Sequence, residues 1–173
     1  MTETLIHLIC GSTGAGKTTY ARRLAEELGA VRFSIDEWMA DLFWMDSPQP
    51  IDPAWAMARV ERCGERIWST ALELAVREVP SVLDLGFTTR EQRRRAAERA
   101  RAAGLAIRLH WLDVSADERW RRVQARDREG GPGRQLGFDI TREMFDFVEG
   151  LWEPPDTEEL RALDAVRADS SAQ

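Results

Sequence analysis

Lysine is almost missing from this chain: of its 24 basic residues, all but Lys17 are arginine. The one lysine stands between Gly16 and Thr18, so the N/T-K-x-D stretch with which guanine-nucleotide switches read their base does not occur. Cysteine is scarce too. Cys10 and Cys63 lack metal-ligand spacing and cannot form a disulfide framework, so both are expected as small core residues. The two histidines, His7 and His110, fall in stretches expected to be strands and read as core residues rather than catalysts. The longest clean apolar run, Leu5 to Cys10, is far too short for a membrane helix or a signal peptide, and a cytoplasmic location without membrane partners is expected. Surplus positive charge is also lacking. At a net charge of −6 nothing global attracts a polyanion, so a nucleic-acid partner is not expected.

What is present alternates short apolar runs with amphipathic stretches, the pattern of an α/β fold built on a parallel sheet. Strands are expected at Leu5–Cys10, Val31–Ser34, Ser81–Gly86 and Ala106–Asp113. Helices are expected from the Gly-rich loop to about Leu28, over Ala54–Glu78, from Thr88 to about Ala103, from Ser115 to about Arg128, and from Thr141 to about Leu151. Thr88 with Glu91 and Ser115 with Glu118 have capping-box spacing. The stretch Glu129–Gly137 is too rich in glycine for regular structure, and an insert at about 126–141 is expected to act as a lid. Ala165–Ala168 fits either an edge strand or a helix end. With no repeat or linker, residues 1–173 are expected to form one domain, a monomer or homodimer.

The chemistry starts at Gly11-Ser12-Thr13-Gly14-Ala15-Gly16-Lys17-Thr18-Thr19, which satisfies G-x-x-x-x-G-K-[ST] without deviation. Glycines let backbone N–H groups turn inward around a phosphate, and the helix that follows adds its positive end. Lys17 is placed to reach the β- and γ-phosphates, and the Thr18 hydroxyl is a hard oxygen ligand for Mg²⁺. These residues are the candidate donor site for ATP·Mg²⁺. Asp84 ends the third apolar run, where a metal-holding aspartate belongs; the alternative is a turn aspartate. It is followed by Leu85 and Gly86 rather than by a catalytic glutamate, which speaks against a motor ATPase and for a small phosphoryl transferase.

Asp36 follows the second strand, on the sheet edge that faces the ligand crevice in doubly wound folds. A carboxylate there can take the proton of an attacking hydroxyl; alternatively Asp36 serves as a helix N-cap. Glu37 is the reserve carboxylate. Arg122 and Arg126 share a helix face four residues apart, where one guanidinium can stack on a base and the other can neutralise a moving phosphoryl group. Arg134 lies in the insert. Arg90 follows the third strand, near the crevice, whereas Arg93, Arg94, Arg95, Arg99 and Arg101 read as a charged helix face. Trp38, Trp44 and Trp55 cluster where an acceptor would enter, either lining its pocket or anchoring a loop.

Together "GSTGAGKTT", "FSIDEW", "VLDLGFTTR", "LHWLD", "RRVQARDREGGPGR" and "WEPPDTEE" resemble the small P-loop kinases of the AAA-type ATP-binding group. That group includes relatives of zeta toxin, chloramphenicol phosphotransferase and polynucleotide 5′-hydroxyl kinases. The resemblance runs from about Leu5 to Glu159. It implies a P-loop NTPase fold with a parallel five-stranded sheet in 2-3-1-4-5 order, ATP and Mg²⁺ as cofactors, and a hydroxyl acceptor. It implies Asp36 as base, Arg122 on adenine, Arg126 on phosphate, and Pro154 in the "EPP" turn near the base. The added helices of zeta toxins and the basic channel of polynucleotide kinases have no counterpart in this sequence. The acceptor expected is a small molecule, with Asp36, Trp38, Trp44 and Arg90 as candidate pocket residues; the alternatives are a polynucleotide 5′-hydroxyl kinase and a non-enzymatic nucleotide-binding module or ATPase.

Overall fold

The computed structural model describes residues 6–50, 52–129 and 140–168. Five strands, β1 (Ile6–Cys10), β2 (Val31–Ser34), β3 (Ser81–Asp84), β4 (Ile107–Leu112) and β5 (Val166–Ala168), form one parallel sheet in the order β2-β3-β1-β4-β5. Parallel neighbours need crossovers, which the helices supply. These are α1 (Lys17–Leu28), α2 (Ile35–Phe43), α3 (Pro53–Ala75), α4 (Arg90–Ala102), α5 (Ala116–Glu129), α6 (Arg142–Leu151) and α7 (Thr157–Ala162), with a short 3-10 turn at Trp44–Asp46.

Side chains alternate across each strand, so β1 feeds both faces of the sheet. Ile6, Leu8 and Cys10 join Phe33, Leu83 and Leu109 beneath Cys63, Ile67, Trp68 and Ala71 of α3 and Ala96 and Ala100 of α4. On the other face, Ile9, Val82 and Leu112 meet Ala21, Leu24 and Ala25 of α1. Both cysteines are buried and free, as expected. His7 and His110 lie under α1, where Nδ1 of His7 is 2.9 Å from Nε2 of His110 and Nδ1 of His110 is 2.8 Å from the Tyr20 hydroxyl. Burial, with His7 and Arg108 adding to it, lowers the pKa of His110 to about 4, so the His110 ring is neutral at ordinary pH.

The ambiguous tail is a strand: β5 pairs with β4 through Trp111↔Arg167. The capping box opening α4 sits one residue later than expected. Thr89 Oγ1 accepts from the Gln92 N–H at 3.3 Å, and Gln92 Oε1 accepts from the Thr89 N–H at 3.0 Å. Glu91 is drawn instead to Arg94 and Arg95. Of the expected lid, residues 126–129 complete α5, while 130–139, including Arg134, lie outside the described residues.

Arg93 corrects the reading of α4 as an all-solvated arginine face. It is 0% exposed, with Nε and Nη2 donating to the two carboxylate oxygens of Glu159 at 2.5 and 3.1 Å. Nη1 donates to the Phe87 and Thr88 carbonyls at 3.1 and 3.4 Å. One buried cation thus holds the β3–α4 loop against α7. Removing one member of such a pair strands the other, at a cost of about 3–5 kcal/mol. Arg93→Ala is expected to lose that much in urea unfolding, whereas Arg90→Ala, at a surface ion pair, loses less than about 1 kcal/mol.

Candidate active site

The loop between β1 and α1 is shaped by what lies behind it. Gly14 has φ +80°, and a Cβ placed on it would stand 2.6 Å from the Arg119 carbonyl oxygen of α5. No side chain fits there. Gly16 also has φ +88° and caps α1 without contributing a side-chain acceptor, and the first turn of α1 carries no acidic residue. The first N–H groups of α1 therefore reach the crevice without a capping side chain, which is the arrangement that receives an anion.

Lys17 folds back over the loop, its Nζ donating to the Ser12 carbonyl at 3.1 Å. Desolvation lowers its pKa, while Asp84 and Asp36 act to raise it. Asp84, at the end of β3 and 6% exposed, accepts from the Thr18 hydroxyl at 3.1 Å. Its pKa is raised, chiefly by desolvation, against the pull of Lys17 and the Thr18 hydrogen bond. Hard oxygens from a hydroxyl and a carboxylate, side by side at the foot of an anion-receiving loop, fit a Mg²⁺–triphosphate. Among the described residues no cluster of three or more His, Cys, Asp or Glu side chains forms a separate metal site.

Asp36 is not the N-cap of α2. Ser34 is, accepting the Glu37 N–H. Asp36 sits inside the first turn, its side chain solvent-accessible within a crevice that strips part of its water. Desolvation raises its pKa, Lys17 opposes this, and Glu37 adds to it. Glu37 has a different environment. Burial pushes its pKa up, but hydrogen bonds from Arg22 at 2.8 Å and Arg32 at 2.5 Å prevail and hold it below the usual range. A carboxylate held by two guanidinium groups is a poor proton acceptor, so of the two only Asp36 has a base's environment.

The remaining candidates are spread more widely. Arg122 binds Glu118 at 2.8 Å and Arg126 binds Asp127 at 3.4 Å, both within α5. Trp38 packs edge-on against Phe33, with centroids 6.2 Å apart, and joins the main core. Trp44 is exposed on the 3-10 turn. Arg90 pairs with Asp156 at 2.8 Å, and its N–H donates to Glu153 at 2.7 Å. The turn carrying Pro154 is thereby docked on the start of α4.

Two residues at the loop escaped the sequence reading. Arg119 is 3% exposed and donates to the Val114 and Thr13 carbonyls at 2.9 and 3.2 Å and to Glu149 at 2.7 Å. The other oxygen of Glu149, on α6, accepts from the Ser12 hydroxyl at 3.1 Å. The Arg119 hydrogen bond holds the Glu149 pKa below the usual range. The available signal was position: Arg119 lies one turn before buried Val123, so an arginine occupies an apolar stripe.

A Gly-rich loop between the central strand and its helix, a carboxylate on the neighbouring strand and a 2-3-1-4-5 sheet define the P-loop kinase fold. The chain belongs to the AAA domain family, whose profile matches residues 6–151. Among curated proteins no sequence matches it. It is similar to a provisionally assigned kinase from Chloroflexus aurantiacus, with TM-score 0.70 and 16% identity over 99% of this chain and 88% of that one. It is also similar to a gluconokinase from Sinorhizobium meliloti, with TM-score 0.61 and 18% identity over 98% and 84%. A third likeness is to the APS kinase CysC of Mycobacterium tuberculosis in complex with AMPPNP and APS, with TM-score 0.62 and 18% identity over 100% and 92%. At these identities the likeness establishes the fold.

The raised pKa of Asp84 has a sign that can be measured. Its contribution to stability is present below its unfolded pKa and is lost as pH rises through the higher folded value. Asp84→Asn removes the buried charge and keeps an oxygen for Thr18. It is expected to raise the Tm at neutral pH by about 2–4 °C in calorimetry, while Mg²⁺-dependent nucleotide binding is lost. An unchanged Tm would remove the desolvation argument.

Proposed function

We propose that this protein is a kinase that transfers the γ-phosphate of ATP to a hydroxyl of a small-molecule acceptor. One observation carries the reading: the Lys17 ammonium is influenced by two carboxylates, Asp84 beside the Thr18 hydroxyl at the end of β3 and Asp36 in the first turn of α2. Motor ATPases carry their second carboxylate directly after the metal-holding one, where this chain has Leu85, whereas transfer to a hydroxyl calls for one placed beside the acceptor. The gluconokinase and APS kinase likenesses support the same class.

In this reading, Gly11–Thr19 binds the triphosphate through backbone N–H groups, and Lys17 leaves the Ser12 carbonyl to meet phosphate oxygens. Thr18 and Asp84 would hold Mg²⁺, which, when bound, neutralises phosphate charge. The acceptor oxygen bonds to the γ-phosphorus as the bond to the β–γ bridging oxygen breaks. Asp36 takes the hydroxyl proton, and ADP leaves. Arg122 serves the base and Arg126 the phosphate, and Pro154 borders the base. Arg119 and Glu149 touch no substrate; they hold the crest of the loop at Ser12 and Thr13. The acidic balance of the chain favours a small acceptor over a polynucleotide end.

A metabolite pool incubated with the purified protein and γ-labelled ATP identifies which compound gains phosphate. Asp36→Asn is expected to lower kcat about 10²- to 10⁴-fold with nucleotide affinity unchanged; full activity removes Asp36 from the base role. Because its pKa is raised, the acid limb of the wild-type kcat profile should lie above the ordinary aspartate range, activity falling as pH drops through it.

A further inference from the structure

Two helices carry the groups that the kinase reading needs, and they pack on opposite faces of the sheet. Lys17 opens α1, which covers one face with Ala21, Leu24 and Ala25. Asp36 sits in the first turn of α2, whose Ile35, Trp38, Met39 and Phe43 join the core on the other face. Apolar packing thus sets each helix against its own face of the sheet, and not against the other helix.

Glu37 links them around the edge. β2 is an outer strand of the sheet, and the chain passes from it directly into α2. Oε1 of Glu37 accepts from Nη2 of Arg22, on α1, at 2.8 Å, and Oε2 accepts from Nη2 of Arg32, on β2, at 2.5 Å. Its backbone is held too, because the Glu37 N–H donates to the Ser34 hydroxyl that caps α2. The Arg32 side chain is only 16% exposed, so that arm of the bridge is little screened by solvent, whereas Arg22, at 55%, forms the weaker arm. Asp36 is the immediate neighbour of this doubly held residue. A shift of about 1 Å in a reacting group can cost about 10²-fold in rate, so the bridge matters more to transfer than to folding.

We propose that Glu37 is the positioning residue for Asp36: it ties the first turn of α2 to the helix that begins with Lys17, and so fixes the base relative to the donor loop. Glu37 takes no proton in this role and acts through its neighbour. The proposal deepens the kinase reading and rests on it for the role of Asp36; the bridge itself stands on the geometry of Glu37, Arg22 and Arg32.

The charged groups that bear on Asp36 are Lys17 of α1, Glu37 of α2 and Asp84 of β3. Lys17 favours the ionised form and the two carboxylates oppose it. Neutralising Glu37 removes one opposing charge and leaves two guanidinium groups unmatched, and both changes let Asp36 ionise at lower pH.

The test compares wild type, Glu37→Gln, Glu37→Asp, Arg22→Gln and Asp36→Asn. Transfer from γ-labelled ATP to the metabolite pool is followed across pH at saturating ATP and Mg²⁺, and AMPPNP binding is read by calorimetry. Glu37→Gln is expected to slow transfer about 10- to 100-fold with AMPPNP affinity unchanged, and to move the acid limb to lower pH. Glu37→Asp keeps the charge but is too short to reach both guanidinium groups, so transfer should slow while the acid limb stays in place. Arg22→Gln cuts the bridge from α1; it should slow transfer by itself and add little to Glu37→Gln. Combined with Asp36→Asn, Glu37→Gln should cost nothing further. Should Glu37→Gln fail to fold, Glu37→Asp and Arg22→Gln carry the comparison. The proposal is overturned if Glu37→Gln transfers as fast as wild type, if AMPPNP affinity falls as far as the rate, or if the loss is undiminished in the Asp36→Asn background. If wild type phosphorylates no compound, the kinase reading falls and the bridge is judged by amide hydrogen exchange in α2. Faster exchange there in Arg22→Gln supports the bridge, and unchanged exchange overturns it.

Discussion

Lys17 is the only ammonium in the chain, and the crevice is organised around its charge. It is dehydrated, which weakens its hold on a proton, and two carboxylates, Asp84 at the end of β3 and Asp36 in the first turn of α2, act against that loss. Each carboxylate is itself dehydrated and is kept ionisable by the same ammonium. The three groups are thus mutually dependent. Arginine would not serve here, because its planar fork cannot curl back onto the Ser12 carbonyl as a compact, rotatable ammonium does. A chain that uses arginine everywhere else keeps lysine where the geometry demands a point charge.

The loop holding Lys17 is constrained from behind rather than from within. Gly14 lies so close to the α5 backbone that the loop's curvature is set by where α5 begins. Arg119 and Glu149 fix the loop's crest by satisfying a carbonyl and a hydroxyl that would otherwise face solvent. Because α6 supplies Glu149, the elements on either side of residues 130–139 both bear on the donor site.

The sheet, its order and most helices were legible because parallel strands buried on both faces leave continuous apolar runs, and because Gly29 marks the end of its helix. The donor loop was legible because its chemistry allows so few residue types. The roles of Asp36 and Glu37 could not be separated from the sequence. Their environments differ through Arg22 and Arg32, which lie on other elements. Arg93 and Arg119 were taken for surface or passed over for the same reason. A buried arginine is written in the sequence like an exposed one, and only long-range partners such as Glu159 and Glu149 reveal it. Trp38 belongs to the core and Trp55 stacks on Arg59, so one sequence cluster resolves into separate packing sites.

The Arg93–Glu159 pair also bears on the order in which the chain can be built. Arg93 lies 66 positions before its partner, and β5, which closes the sheet beside β4, comes later still. During synthesis α4 emerges with a cation that has nowhere favourable to go until α7 has left the ribosome. The β3–α4 loop, which that cation holds, therefore sets late. The wall of the crevice is among the last parts of the fold to become rigid, and the donor loop, whose crest waits for Glu149 of α6, sets only shortly before it.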